Sequence, residues 1–492
     1  MIALINVVQT RNLKERPRDL PMGLIYLGSA LKKAGYDVKL YHISHYQIEE
    51  VAREIVTLRP LFLGVSVLTG VSTLHNLMIS QRVRNLDPNI PIIWGGHHPT
   101  AIPEQCIAES CVDYVFMGEG EEGIVQFARA IETNNGFESI PGLVMKIDGR
   151  IVRNSPPVLI KDLDMLDFDL DVLDNVSQYV SCSGGSMMFQ TSRGCPYRCG
   201  FCDIANFYSH SYRKFSIDYV MHYARKYRDM YGVETFHMTD DIFFVNQRDI
   251  NIMQQLHDLG INIGTIAIRI SHLYRHPEIM KVLDELDVTV IFLAWESGVD
   301  RILKLMHKDI NREIIFHTVR FLAEKYPKIR CVGGGIIGNP TETLEEIQQT
   351  VKTAVELRSI HPYSAFFLQL YLPLPGTEFL ELAVMQGMAR PERAEDWAHH
   401  DKEWDKNCQI DWLPWATDKQ KQMLVKLDFY STKVVNSPRG GSLEHMVMSL
   451  FYAIARYRYN HLFFLCSEMD MWLFDKLLSL RRVLVKFFTF PL

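Results

Sequence analysis

Thr191-Ser192-Arg193-Gly194-Cys195-Pro196-Tyr197-Arg198-Cys199-Gly200-Phe201-Cys202 sets three thiols at C-x3-C-x2-C spacing. Iron–sulfur and structural zinc sites normally take four protein ligands. Three cysteines therefore leave a 4Fe-4S cubane one ligand short, with one iron open to a small molecule. Glycine, proline and aromatic residues fill the run, so it reads as a loop rather than a helix face. A zinc knuckle with a distant fourth ligand, or three unrelated buried thiols, is the competing reading.

The spacing resembles the signature of the radical S-adenosylmethionine (radical SAM) enzymes. That resemblance implies that Cys195, Cys199 and Cys202 ligate the cluster and that SAM chelates the open iron. An electron from the cluster then cleaves the sulfonium to a 5′-deoxyadenosyl radical. Further motifs follow in order. A strand over 185–190 delivers the cysteine loop at its carboxyl end, where barrel enzymes keep their chemistry. Thr235-Phe-His-Met-Thr239 ends on Asp240-Asp241, where the family binds the SAM ammonium; a helix N-cap at Asp241 is the plainer role. A strand over 263–271 carries Arg269 near its end, and one over 288–295 delivers Glu296-Ser297-Gly298, which resembles the family's E-S-G turn. Gly333-Gly-Gly335-Ile-Ile-Gly338-Asn-Pro340-Thr-Glu342 resembles the glycine-rich strand end that packs on adenine, and Pro373-Leu-Pro375-Gly376-Thr377 resembles the exit from the last strand. The resemblance implies a partial (β/α)6 barrel over 181–390. Its SAM contacts would be Phe201, Asp240, Asp241, Arg269, Glu296 and Gly338, with ordinary salt-bridging as the alternative for the charged ones.

Residues 1–140 alternate short β-branched runs with amphipathic stretches. Strands are predicted over 2–8, 37–42, 61–67, 90–94 and 112–117, and helices over 23–35, 48–58 and 72–85. Such alternation implies right-handed βαβ units and a doubly wound parallel sheet with its ligand beyond the strand ends. Ser66-Val-Leu68, Gly95-Gly96 and Gly118-Glu119-Gly120-Glu121 fall in those loops. They resemble the S-x-L element, paired glycines and closing G-E-G-E run of the cobalamin-binding Rossmann-like domain that precedes many radical SAM cores. The resemblance implies cobalamin contacts at Ser66, Leu68, Gly95, Gly96, Gly118, Glu119 and Gly120. The D-x-H-x-x-G element that supplies a histidine to cobalt is absent, and the first loop, 9–22, holds no histidine. Relatives without that element include both cobalamin binders and proteins that have lost the cofactor. His97 and His98 fit either the corrin edge or loop packing. A nicotinamide fold would need G-x-G-x-x-G after the first strand, which is missing.

Residues 141–180, with Asp162, Asp164, Asp167, Asp169 and Asp171 alternating with apolar side chains, read as a linker draped over a neighbouring domain. Residues 391–492 read as a helical cap. Trp397, Trp404, Trp412 and Trp415 crowd beside His399, His400, Asp401 and Asp405, as a substrate-facing lid or as a structural cover. Beyond Met446 the chain is apolar, aromatic and basic, which suits an interfacial helix at a membrane surface, a channel for an apolar substrate, or a packed cap.

A net charge of −6 over 492 residues gives no basic excess to neutralise phosphates, so no nucleic-acid partner is expected. The odd count of 9 cysteines suits a reducing cytoplasm, and the six outside the triad are expected to be buried and quiet. The apolar start lacks a basic leader, and no apolar run reaches spanning length. The expectation is a cytoplasmic enzyme, at most peripheral to a membrane, that uses a 4Fe-4S cluster, SAM and cobalamin to methylate an unactivated carbon of a small molecule. A flavodoxin or ferredoxin would supply the electron. Methyl-independent cyclisation, rearrangement or carbon–carbon coupling is the enzymatic alternative, and a non-catalytic cobalamin- or redox-responsive binding protein the remote one.

Overall fold

A computed structural model describes residues 1–10, 17, 19–243, 246–400, 412–431, 457–459, 461 and 476, with the side chains of 399, 400 and 429 left aside. The chain divides into two units. One contains 1–267, 285–288 and 372–412; the other contains 268–284, 289–371 and 413–492.

The first unit opens with strands β1 (Ile2–Val8), β2 (Val38–Ser44), β3 (Leu63–Ser66), β4 (Ile92–Gly95) and β5 (Tyr114–Phe116). They alternate with helices α1 (Met22–Lys33), α2 (Ile48–Leu58), α3 (Val71–Leu86), α4 (His97–Ala101), α5 (Pro103–Ala108) and α6 (Glu121–Thr133). The order β2-β1-β3-β4-β5 is parallel throughout, with Ile2 opposite Val38 and Ala3 opposite Leu63. The order in which strands are added reverses between β1 and β3, which makes that point the crevice of a doubly wound sheet. Ala3, Ile5, Val7, Leu63, Val65, Ile92 and Trp94 are buried against Ile55, Leu77 and Ile79 of the helices. Continuous apolar strands of this kind are what a sheet covered on both faces requires.

The sheet does not stop at residue 140. Strands β6 (Leu143–Ile147) and β7 (Arg150–Arg153) add antiparallel beyond β5. Asp148 and Gly149 join them with φ of +50° and +75°, the two positive values that a type I′ hairpin turn demands. The acid–apolar run that follows packs through its apolar residues. Phe168 sits 4.8 Å from the Tyr26 ring, while Asp162 and Asp169 accept from the backbone of Asp164 and Asp171 to cap short 3-10 turns. Helix α7 (Val176–Cys182) then leads to β8 (Ser186–Phe189).

A two-residue pair, β9 (Ser192–Arg193) with β10 (Arg213–Lys214), frames the cysteine loop and helix α8 (Ile204–Phe207). Strand β8 pairs parallel with β11 (Thr235–Met238), which pairs parallel with β12 (Asn262–Ala267), and α9 (Ile217–Tyr231) and α10 (Gln247–Asp258) are the intervening helices. In the second unit β13 (Val290–Phe292), β14 (Arg330–Ile337) and β15 (Ala365–Leu370) also pair parallel in sequence order. All six barrel strands anticipated from the sequence are therefore present. Arg269 differs: β12 ends at Ala267, and Arg269 is the N-cap residue of the next helix, Ile270–Arg275.

No helix among the described residues is long and apolar enough to cross a membrane. Trp404, Asp401, Asp405 and the run from Met446 to Tyr452 lie outside the described residues. Cys106, Cys111 and Cys331 are buried as expected, whereas Cys182 is exposed; Cys408 and Cys466 are not among the described residues.

Gly96 has φ of +106°, and a Cβ there would stand 2.8 Å from the Val67 carbonyl oxygen. Gly35, at φ of +91°, has nothing within 4 Å. Gly96→Ala is expected to destabilise the protein by about 1–3 kcal/mol and by more than Gly35→Ala, read as the shift in urea midpoint.

Candidate functional site

Residues 191–194 are fixed before the first cysteine is reached. Asp240, at the end of β11, accepts hydrogen bonds from Thr191 N at 3.1 Å, Thr191 Oγ1 at 3.0 Å and Ser192 Oγ. Burial pushes its carboxyl up to about 7, against the pull of those donors. Asp241 accepts from Gly194 N at 2.8 Å. Gly194 itself, at φ of +86°, passes so close to Ser211 that a Cβ would lie 2.3 Å from its carbonyl oxygen.

Arg193 is buried in a cluster of charges. Its Nη1 lies 3.0 Å from Glu119 Oε1 and 2.7 Å from Glu121 Oε1, and its guanidinium covers the Tyr26 ring at 4.4 Å. Glu119 has no spare lone pair to offer. Oε1 also accepts from Arg213 Nη2 at 3.1 Å, and Oε2 accepts from Arg213 Nη1 at 2.6 Å and Ile160 N at 2.9 Å. Burial opposes the charge on Arg193, but Glu121, Tyr26, Tyr208 and Glu119 together outweigh it and hold the group well above its ordinary value. The acids of the G-E-G-E run thus grip the start of the cysteine loop.

In the loop, Cys202 N donates to Cys199 O at 3.1 Å, and Phe379 N donates to Gly200 O at 2.9 Å. Phe201 meets Phe379 edge-on at 6.0 Å. Burial pushes the Cys202 thiol up to about 12, with Asp203, Cys199 and Cys195 adding to the effect. A thiol in such surroundings ionises when a cation compensates it, as iron would. Among the described residues no three ligating side chains converge on one ion position. A cubane asks for something else, because its protein ligands go to separate irons, and three neighbouring thiols on one loop fit it.

A cleft of about 530 Å³ opens at the carboxyl ends of β1, β3, β4 and β5, within the size range of cofactor pockets. Ser66, Leu68, Gly95, Gly96, Gly118, Glu119 and Gly120 line it. Asn6 Nδ2 donates to Ser66 O, and Gly118 N donates to Thr100 Oγ1. It is also lined by Gln190, Arg193, Phe207 and Tyr208, which flank the cysteines in the sequence, and by Asp241 after β11. The glycine-lined strand ends and the half-exposed Leu68 leave room for a flat macrocycle and its tail, so the residues present fit a corrinoid.

The second unit holds the other sequence candidates, each with a protein partner. Glu296 Oε1 lies 2.8 Å from Lys308 Nζ, both largely buried, and Arg269 Nη2 lies 3.7 Å from Asp309 Oδ2. Gly338 N donates to Glu342 at 2.8 Å. His98 is buried and bonded to Thr69, and burial lowers it to about 3, so it packs the loop as a neutral ring. Trp397 is buried too, its Nε1 donating to Gln105 Oε1 at 2.6 Å, so it serves as structure. The sequence reading missed Arg193, Arg213 and Glu121, whose partners lie far along the chain.

Two family models match the chain: the B12 binding domain over residues 20–128 and the radical SAM superfamily over 189–354. The chain belongs to the radical SAM superfamily, with a B12-binding domain ahead of the core. Radical SAM proteins hold a 4Fe-4S cluster and bind SAM, and the B12-binding domain is the cobalamin module. Among curated proteins, this radical SAM chain is 28% identical over 374 residues to an uncharacterised methyltransferase of Pyrococcus horikoshii, covering 75% of the chain and 79% of that protein. It is 25% identical over 458 residues to the cytidylyl-2-hydroxyethylphosphonate methyltransferase of Streptomyces wedmorensis, covering 80% and 83%. The solved structure of the radical SAM methyltransferase TsrM from Kitasatospora setae, with cobalamin and a 4Fe-4S cluster bound, aligns with a TM-score of 0.63 at 18% identity, covering 79% of this chain and 76% of that one.

Cys199→Ala is expected to drop iron after anaerobic reconstitution from about four per chain to background, measured by chelator assay, with the circular dichroism spectrum retained. Arg193→Leu leaves two buried carboxylates short of a cation and is expected to cost about 3–5 kcal/mol of stability, read from the urea midpoint.

Proposed function

We propose that this protein is a cobalamin-dependent radical SAM C-methyltransferase acting on an unactivated carbon of a small molecule. One observation carries the reading: the cleft suited to cobalamin is walled by the segment that bears the cluster cysteines, inside a single unit. Relatives named as methyltransferases, aligned over three quarters of the chain or more, support it. When bound, the cluster and SAM supply a 5′-deoxyadenosyl radical, and cobalamin supplies a carrier for a second SAM's methyl group.

The chain's own residues do the rest. Cys195, Cys199 and Cys202 hold three irons and leave the fourth for SAM. Phe201 is assigned to the adenine face, and Arg269, Glu296 and Gly338 to the remainder of SAM on the strength of their motifs. Asp240 and Asp241 serve that cosubstrate indirectly, by fixing residues 191–194. Ser66, Leu68, Gly95, Gly96, Gly118 and Gly120 cradle the corrinoid. Glu119 lines the same cleft and holds Arg193 there, with Arg213 as its second partner. A low-potential donor of the flavodoxin or ferredoxin class supplies the electron.

Protein reconstituted anaerobically with iron, sulfide and hydroxocobalamin is expected to retain about one cobalt for about four irons. Given SAM and a reductant, it should form both S-adenosylhomocysteine and 5′-deoxyadenosine, separated by chromatography. 5′-Deoxyadenosine without S-adenosylhomocysteine would move the assignment to methyl-independent cyclisation, rearrangement or coupling.

A further inference from the structure

His97 belongs to two places at once. It follows Gly95-Gly96 and lines the cobalamin-type cleft. Its Nδ1 also lies 3.2 Å from Asp203 Oδ2, so the imidazole N–H donates to that carboxylate. Asp203 directly follows the cluster ligand Cys202 and is the N-cap residue of α8. Four residues further along, Phe207 stacks on the His97 ring with centroids 4.2 Å apart and planes at 11°. The chain on either side of the contact is held in turn: Asn206 Nδ2 donates to Gly376 O at 2.6 Å, and Thr100 Oγ1 donates to Gly96 O at 2.7 Å. His97 is 23% exposed and Asp203 24%, so the pair is mostly shielded from water, where such a contact is little screened.

We infer that His97 is a positioning residue that couples the two cofactor sites: a corrinoid seated on the Gly95–His97 loop steadies, through Asp203 and Phe207, the segment that follows Cys202. Coupling of this kind is reciprocal, so cluster assembly must tighten cobalamin binding just as cobalamin steadies the cluster. Neighbouring candidates are engaged elsewhere. Arg193 grips the loop ahead of the first cysteine, His42 turns to Tyr179 OH at 2.9 Å, and His98 is taken by Thr69. The inference rests on the assignment of both cofactors made above.

The test is a hydroxocobalamin titration of the full chain, followed by absorbance, with and without the reconstituted cluster. Wild type is expected to bind hydroxocobalamin about 5-fold or more tightly once the cluster is in place. His97→Phe keeps a ring against Phe207 but loses the donor to Asp203, and should bring the ratio of the two affinities close to one. His97→Asn, which keeps a short donor, should restore part of the ratio. A purely structural role would weaken binding in both states alike and leave the ratio where it was; an unchanged ratio in His97→Phe overturns the coupling. A second measurement needs no variant: iron release from wild type to a chelator should slow when hydroxocobalamin is bound, and equal rates overturn the inference. Wild type that binds no hydroxocobalamin in either state removes the cofactor assignment together with the coupling, whereas equal binding in both states removes the coupling alone.

Discussion

A guanidinium taken out of water between two carboxylates is the constraint on which the rest of this site depends. Moving the Arg193 charge into the interior costs several kcal/mol, and the cost is recovered only where the geometry satisfies every partner. Here Glu119, Glu121 and the Tyr26 ring surround the cation, and Arg213 with Ile160 N completes Glu119. Because Arg193 stands two residues before the first cluster cysteine, the loop that must receive iron leaves from a fixed point beside the cleft. Asp240 and Asp241 grip the same four residues from the end of β11. A site that holds its ligands in place needs such a supporting shell.

The parallel sheet followed from the sequence because its signals are local. β1 and α2 fall where the apolar periodicity puts them, Ile2–Val8 and Ile48–Leu58; the other predicted early elements differ by a few residues at their ends, and α4, α5 and α6 were not predicted. The β6–β7 hairpin escaped although its signal was also local. Asp148-Gly149 between two apolar-alternating runs is a strong hairpin mark, but the acidic stretch that follows drew the whole segment into one linker. Arg269 slipped from strand to helix cap for a comparable reason. Ile268 and Ile270 continue the apolar alternation of β12, and alternation alone does not show where pairing ends.

The charged candidates have protein partners that the sequence did not name, and the reason is physical. A carboxylate's sequence position says that it is present, not what neutralises it. Glu119 lines the cleft, and its partner Arg193 is 74 residues away. Glu296 and Arg269, read as SAM contacts, meet Lys308 and Asp309. Asp240, read as the anion for an ammonium, is buried among the hydroxyl and amide donors of Thr191 and Ser192. A buried charge has to be paired, and pairing is a tertiary fact that residue type and spacing do not encode.

The glycines, by contrast, could be assigned before any partner was known. Gly95, Gly96, Gly118 and Gly120 line the cleft through what they lack: a strand end without side chains leaves space whatever fills the rest of the fold. The cysteines share that independence, since their spacing sets three thiols on one loop without help from distant residues. Local geometry makes the room for cofactors and supplies the iron ligands. Long-range ion pairs and the His97–Asp203 contact then decide how firmly those local pieces are held to each other. Chemistry of the first kind can be read along the chain; chemistry of the second kind appears only when the chain has folded.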